Sequence, residues 1–580
     1  MPEPERVSPL WKTGLVAALA AGLLALPPLA GEAQALKLFG LNLFGSEEED
    51  AAADVIDPVR YDATLNTQEA EGELQERLET ATSLVNDEKL PVSGDLGLVV
   101  KAREDRERLV AVLYEEARYG GVVRISIAGT DLDRLPPNPV FDHTRPVPVT
   151  VTVEPGPVFT LGRITLAGDA ERLDPATYDL EPGGSAGSMK IIQAGERIVR
   201  DLKAEGRPLA ELTERNVVAD HASRTVDVTI SAQGGPVAPL GEVAVKGSRA
   251  VDAGFIRRYS RLDDNQRYSP DQLRKAGERL RELGVFSSVS IHEAEALAPD
   301  GTLPLTIEVS EGKFRYFGFG AEQRYFGGGV QFSSIDGLGL QGYWGHRNLF
   351  GEAESLRIEG KVSGIGATTD YTTFDYSAGI FFTKPGIFMP RMTLDASLEA
   401  KRETPDAYTA NTITALALLS YELTDQDVVK GGGDISWSET EDAFGKNTYL
   451  TFSIPLSFER DARDNKLNPT EGYRATLAAQ PSYEAYGGSV FSSFEGSISG
   501  YLGLGEEDPV VLAGRLAAGS IIGADRLQDI PTTRRFFAGG GGSVRGYAYR
   551  EISPYTADDK ATGGRSYATA SLEARIRVTE

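Results

Sequence analysis

From Lys313 onward the chain is written in segments of about ten residues in which apolar and polar side chains alternate. In TYLTFSIPLSFER, Leu450, Phe452, Ile454, Leu456 and Phe458 fall on one side, and Thr451, Ser453, Ser457 and Glu459 on the other. In MTLDASLEAK, Met392, Leu394, Ala396 and Leu398 oppose Thr393, Asp395, Ser397 and Glu399. A period of two puts successive side chains on opposite faces of a strand, and about ten residues is what a tilted strand needs to cross a bilayer. Twelve such segments are predicted, near 314–325, 337–347, 353–364, 371–382, 391–401, 407–423, 428–439, 448–460, 472–483, 489–502, 510–522 and 566–578. One face suits lipid and the other water. Lipid offers nothing to bond an open strand edge, so strands cross it only as a closed cylinder.

Such a cylinder has to leave the cytoplasm. Arg6 and Lys12 precede an apolar run, Gly14 to Leu26, and Ala33-Gln34-Ala35 supplies small residues for a signal peptidase, so residues 1–35 are expected to be a cleaved secretory signal. The run is too short for a spanning helix, and no other stretch approaches 18 consecutive apolar residues. Residues 36–58 follow as a linker whose SEEEDAAAD, Ser46 to Asp54, reads as a solvated acidic spacer. Cysteine is absent, which removes disulfides, a thiol nucleophile, cysteine-ligated zinc and a lipoprotein anchor. A net charge of −26 argues against a nucleic-acid partner, whose phosphates need neutralising cations.

Between linker and cylinder the chain repeats itself. GPVFTLGRITLAG from Gly156 aligns with GPVAPLGEVAVKG from Gly235, and Val151-Thr152-Val153, Val228-Thr229-Ile230 and Leu305-Thr306-Ile307 recur 77 residues apart. Three units are implied, 59–155, 156–234 and 235–312. Within a unit a β-run such as Arg163–Leu166 or Glu242–Val245 precedes helical stretches, as in Pro270 to Leu283, where Leu273, Ala276, Leu280 and Leu283 keep helical spacing. Gly284 is expected to stop that helix, and Gly206 and Gly120 its counterparts. Two strands follow, Val285 to Ile291 and Leu303 to Val309 in the third unit. The order β-α-α-β-β makes a small α+β module with a three-stranded sheet. Its free outer edge either pairs an incoming extended chain or is blunted by charge.

The longest connection of the second half, 523–565, holds GGGGSVRGYAYRE, Gly539 to Glu551. If the modules feed the first strand from below, connections after odd-numbered strands lie outside, and this one follows the eleventh. In the next strand Ala568, Ala570, Leu572, Ala574, Ile576 and Val578 face outward, and Thr569, Ser571, Glu573, Arg575 and Arg577 inward. Two readings of Arg545 stand on the residues alone. It is a surface arginine on a solvated loop, or the loop folds into the lumen and Arg545 meets Glu573 where a lowered dielectric strengthens the pair.

The three units resemble POTRA domains, the periplasmic modules of the outer-membrane assembly superfamily that includes BamA and TamA. Val544-Arg545-Gly546-Tyr547 looks like the VRG-aromatic motif of that superfamily's sixth extracellular loop, whose arginine reaches back into the barrel. Arg347-Asn348-Leu349-Phe350-Gly351, the turn DARDNKLNPTEGYR (Asp461 to Arg474) and SLEAR (Ser571 to Arg575) match its patterns too, and three modules resemble the TamA type. The resemblance implies POTRA repeats followed by an antiparallel transmembrane β-barrel of sixteen strands, residues 313–580, of which about twelve are present. The chain is thus expected to be a fragment, or its barrel to close in another way.

The resemblance further implies an insertase or translocase in the outer membrane of a Gram-negative bacterium, with its modules in the periplasm, no enzyme activity and no cofactor. Its implied partners are unfolded outer-membrane and autotransporter proteins, the lipid bilayer and a TamB-like inner-membrane-anchored protein. A seam for templating strands is expected near Phe314, Phe317, Gly318 and Gly320, where glycine thins the packing. The competing functions are a passive pore or receptor, a two-partner secretion transporter, and a barrel-fused lipase resting on Ser185 alone.

Other motifs fail in context. Gly183-Gly184-Ser185-Ala186-Gly187 fits the hydrolase pattern but precedes a helix of the second unit, and is expected to open it. Gly337 to Gly342 fits a dinucleotide pattern without a βαβ unit around it. Asp461, Asp464 and Glu471 lack the ligand order of a calcium hand, and His143, His221, His292 and His346 form no zinc motif. No catalytic and no metal-ligating constellation is predicted.

Overall fold

The computed structural model describes residues 37–38, 41–42, 57–67, 72–325, 335–365, 374–505 and 508–578. The predicted signal and most of the acidic linker lie outside the described residues. The chain divides into two compact units, residues 1–166 with 172–195 and 215–230, and residues 167–171 with 196–214 and 231–580.

The first module lies in the first unit. It runs β1 (Tyr61–Thr67), α1 (Glu73–Ala81), α2 (Ser83–Asn86), α3 (Gly94–Glu115), β2 (Val122–Ile127), β3 (Thr130–Asp131) and β4 (Val147–Glu154). The sheet order is β1-β4-β2-β3, four strands rather than the expected three, because β3 turns back on the end of β2. Leu98, Ala102, Leu109 and Leu113 of α3 recur at helical spacing and are buried with Ile125, Val149, Val151 and Val153 of the sheet. The left-handed turn after α3 is made by Ala117 (φ 56°), not by Gly120 as predicted. A proline-rich stretch, Leu135 to Pro148, leads into β4 and is tied to the start of α3, where Asp95 accepts from Phe141 N–H (3.1 Å) and lies 2.6 Å from His143 Nε2.

The middle module contains β5 (Thr160–Gly168), α4 (Ser188–Ala204), β6 (Glu211–Asp220) and β7 (Thr225–Gln233), in sheet order β6-β7-β5. Its first predicted helix is reduced to a 3₁₀ turn at Pro175–Tyr178. Ser185 stands just before α4, its backbone bridged to Thr160. In the second unit the third module runs β8 (Leu240–Lys246), α5 (Ala253–Ser260), α6 (Pro270–Glu282), β9 (Phe286–Glu293) and β10 (Leu303–Glu311), in order β8-β10-β9 with β8 and β10 parallel. Pro270 occupies the first turn of α6, where no N–H is needed, and Gly284 (φ 66°) follows its end. The three triplets recurring in the sequence fall on β4, β7 and β10, the central strand of each module.

The rest of the second unit is one antiparallel sheet: β11 (Arg315–Tyr325), β12 (Ile335–His346), β13 (Ser355–Ile365), β14 (Asp375–Pro385), β15 (Met392–Glu403), β16 (Thr409–Glu422), β17 (Asp427–Asp442), β18 (Gly445–Ser453), β19 (Leu456–Asp461), β20 (Gly472–Glu484), β21 (Ser489–Leu504), β22 (Val510–Gly523) and β23 (Ser566–Ile576). β18 and β19 both lie between β17 and β20, interrupted at Ile454-Pro455, where proline has no N–H for the ladder. The thirteen strands therefore fill twelve positions, one for each predicted segment.

Burial on this sheet is inverted relative to a soluble protein. Ser436, Ser438, Thr440, Thr451, Ser453 and Ser482 are buried, while Phe452, Leu456, Leu477, Phe494, Leu516 and Leu572 are exposed. An apolar outer band with polar side chains turned inward is the arrangement a bilayer imposes on a barrel.

Candidate functional site: a lumenal loop and a docked periplasmic module

Residues 524–565, between β22 and β23, carry the VRGY segment. Gly540 and Val544 form a short bridge, Gly540 N–H donates to Tyr547 C=O (3.0 Å), and Ser543 Oγ accepts from Gly539 N–H (2.8 Å), so the glycines close a tight hairpin. Arg515 of β22 donates to Gly542 C=O at 3.1 Å. Val544, Arg545, Gly546 and Tyr547 form the return of that hairpin, and Arg545 Nη2 lies 3.0 Å from Glu573 Oε1 on β23.

The surroundings of that pair differ from the expectation. Arg545 is 74% exposed and Glu573 39%, so water screens the contact and no lowered dielectric strengthens it.

The loop is gripped elsewhere, by residues the sequence reading passed over. Arg535 Nη1 meets Asp442 Oδ2 of β17 at 2.8 Å, and neither side chain has exposed surface. Arg535 also donates to the carbonyls of Ile530 (2.9 Å) and Thr562 (3.0 Å), Thr532 Oγ1 donates to Asp442, and the guanidinium lies over the Phe444 ring. Arg534 Nη2 reaches Asp434 Oδ1 of β17 at 2.5 Å. Arg550 Nη1 reaches Glu403 Oε1 of β15 at 3.1 Å, an oxygen that also accepts from Tyr408 Oη (2.6 Å). Tyr449 Oη of β18 donates to Gln528 C=O at 2.8 Å. Part of the signal was present in the sequence: Arg534-Arg535 stands just before FFAGGGG, and Asp434 lies on the polar face of the predicted strand 428–439, where an unpaired charge is costly, while Asp442 joins that face only because the strand extends beyond its predicted end.

The opposite end of the barrel meets the third module. In the turn between β12 and β13, buried Asn348 donates from Nδ2 to Ala250 C=O (3.0 Å) and accepts at Oδ1 from Ala353 N–H (2.9 Å), while Asp252 N–H donates to Gly351 C=O (2.8 Å). Glu311, closing β10, shapes the receiving loop, its Oε1 accepting from the N–H groups of Arg249, Ala250 and Val251 at 2.8, 2.8 and 2.9 Å. Burial alone would raise that carboxyl's pKa, but the three donors hold it below the usual carboxylate value. Arg261 donates to Pro390 C=O in the turn after β14 and pairs with Glu422 (2.6 Å), and Lys275 pairs with Asp425 in the turn after β16 (2.7 Å). The turns after even-numbered positions thus lie on the module's side, as the parity argument required.

Of the predicted seam residues, Phe314 precedes β11 and packs against the core of the third module. Phe317 is exposed on β11. Gly318 and Gly320 do not thin the packing: a Cβ on Gly318 would stand 2.4 Å from the Tyr343 ring, and one on Gly320 would stand 3.0 Å from the Gln341 amide. Side chains of β12 fill both gaps. Asp464 and its neighbours also have a local account, since Asp464 Oδ1 accepts from Thr470 and Glu471 N–H (3.0 Å each) and shapes the turn.

A model of the Omp85 superfamily domain matches residues 348–580, and one of POTRA, the surface antigen variable number repeat, matches residues 238–312. The outer membrane protein assembly factor BamA of Nitratidesulfovibrio vulgaris is 24% identical over 478 residues, 76% of this chain and 55% of the relative. BamA of Neisseria meningitidis is 21% identical over 458 residues, 73% of this chain and 55% of the relative. The chain spans about half the length of the curated relatives it matches. The crystal structure of BamA from Haemophilus ducreyi lacking POTRA domains 1–3 shares the fold, with a TM-score of 0.51 at 17% identity over 72% of this chain and 83% of that one. With a POTRA match on the docked module and an Omp85 match on the barrel behind it, this chain belongs to the BamA/TamA superfamily of outer-membrane factors.

Proposed function

We propose that the protein is a non-enzymatic insertase or translocase that assists unfolded β-barrel proteins, autotransporters among them, into the outer membrane. The observation that supports this most is the joint arrangement at the two mouths of the barrel. A module whose β9 has a partner on one side only, among the described residues, is clamped at the periplasmic mouth, and the lumen is occupied by the barrel's own loop. Extended client chain pairs along the module edge and then along the barrel wall near β11, rather than passing through the lumen. The driving free energy is the client's own, from strand pairing and burial of its apolar face in lipid. In this reading Val544 to Tyr547 and Glu573 link the loop to β23, so that the loop reports movement of that strand. A count of three modules favours autotransporter clients and a TamB-like inner-membrane-anchored partner.

Proteoliposomes containing the protein are expected to fold a urea-denatured autotransporter barrel faster than empty liposomes, scored by the heat-modifiable gel band of the client. An unchanged rate together with steady, high ion conductance would instead favour the passive pore.

A further inference from the structure

Four successive periplasmic turns each expose a large apolar residue, three of them almost wholly and Leu423 by about half. Phe350 (76% exposed) follows β12, Phe388 (82%) and Met389 follow β14, Leu423 follows β16, and Leu467 (96%) lies in the turn after β19. Phe388 is held at φ 63°, a left-handed conformation unfavourable for a bulky residue, two residues after Gly386 (φ 66°). Its turn is nevertheless clamped, since Arg261 binds Pro390 C=O and Gly386 packs beside the rings of Phe255 and Tyr259. The third module therefore holds the turn firmly while the ring projects away from the protein, an unfavourable backbone that persists where the surroundings over-determine it.

We propose that these turns are an anchor for phospholipid, seated at the headgroup boundary of the periplasmic leaflet. Three observations select lipid as the occupant. The turns continue directly from the exposed apolar face of the spanning strands, where Trp344 and Ile380 already face the bilayer. They lie within a few residues of the strand ends, the depth at which amphipathic and aromatic side chains gather in membrane proteins. Arg257, exposed in the last turn of α5, stands on the helix against which the Phe388 turn is clamped and suits a phosphodiester group, while Arg258 beside it is paired with Glu352 at 3.0 Å. The anchor draws the third module against the leaflet and fixes its height there. It requires only a membrane-inserted barrel and is independent of the insertase reading.

The chain has no cysteine, so single labels need no background substitutions. Phe350→Cys, Phe388→Cys and Leu467→Cys, each carrying an environment-sensitive fluorophore, are compared in phosphatidylethanolamine/phosphatidylglycerol vesicles with Val140→Cys, an exposed position of the first module. The expected result is a blue shift at 350, 388 and 467, with loss of iodide quenching and gain of quenching by a headgroup-bound nitroxide lipid, and no change at 140. Labels at 350 and 388 as open to iodide as the label at 140 would overturn the proposal. So would shielding that appears only on adding urea-denatured client, which would make the rim a client surface. Leu467, on a turn held by Asp464 and Asp508 rather than by the third module, keeps the test decisive should either phenylalanine variant fail to insert.

Discussion

Neither the Arg535 nor the Asp442 side chain is exposed to solvent, and losing either partner leaves a buried charge without its counter-charge. Arg535→Ala is expected to cost about 3–5 kcal/mol, read as a lower melting point of the heat-modifiable band and as new trypsin cleavage within 524–565. Arg545→Ala removes only an exposed pair, worth about 0–1 kcal/mol, so its melting point should stay near wild type while client folding falls. Equal thermal losses in both variants would show that burial is not what separates them. In the first module Asp105 has no exposed surface and accepts from Leu84 N–H (2.7 Å), Thr82 Oγ1 (2.7 Å) and Ser83 N–H (3.1 Å), capping α2 from a neighbouring helix. Burial alone would raise its pKa, but these donors hold it below the ordinary carboxylate value. A depressed folded pKa gives stability that is complete above the unfolded value of ~3.9 and is lost as pH falls through the folded value. Asp105→Asn should lower the first module's melting temperature at neutral pH, and its gap from wild type should narrow as pH falls below the unfolded carboxylate value; a gap independent of pH would refute the assignment.

At the scale of elements, the strands were legible because a period of two survives inversion: the same alternation that buries leucine in a soluble sheet exposes it to lipid. The helices were less legible. The first helix of the middle module shrinks to the 3₁₀ turn at Pro175–Tyr178, and Ala117 turns the chain where Gly120 was expected to, because tertiary packing overrides local preference. The first barrel hairpin shows what a sequence reading of glycine misses. Gly318 is a socket for the Tyr343 ring directly opposite it across β11 and β12. Gly318→Ala should therefore slow folding of the protein's own barrel in detergent, and Gly318→Ala with Tyr343→Ala should recover part of the loss, a non-additivity that separates steric conflict from lost backbone freedom. Additive losses would point to backbone freedom.

At the scale of the molecule, the third module is held by backbone and amide hydrogen bonds through Asn348, Ala250, Asp252 and Gly351, with ion pairs at the margin. Asn348→Ala leaves the buried Ala353 N–H without its partner, releases the exposed Ala250 carbonyl to water, and is expected to cost about 1–3 kcal/mol. Lys275→Ala should cost under about 1 kcal/mol and lose its effect in salt. Crosslinking between the module and the periplasmic turns at low and high ionic strength reads both, and a docking that dissolves in salt would assign the grip to the ion pairs instead. By itself the sequence determined the strand positions, the three modules and the face each barrel residue presents, because periodicity and repetition are local properties of a chain. It also singled out Arg545, the arginine with a recognisable motif around it. The tertiary structure alone decided which arginines are buried, since Arg534 and Arg535 acquire their partners on β17 only when a loop about a hundred residues downstream folds back into the lumen. It likewise decided that RNLFG is a docking turn, for Ala250 and Asn348 meet across 98 residues of chain and neither carries a local sign of the other.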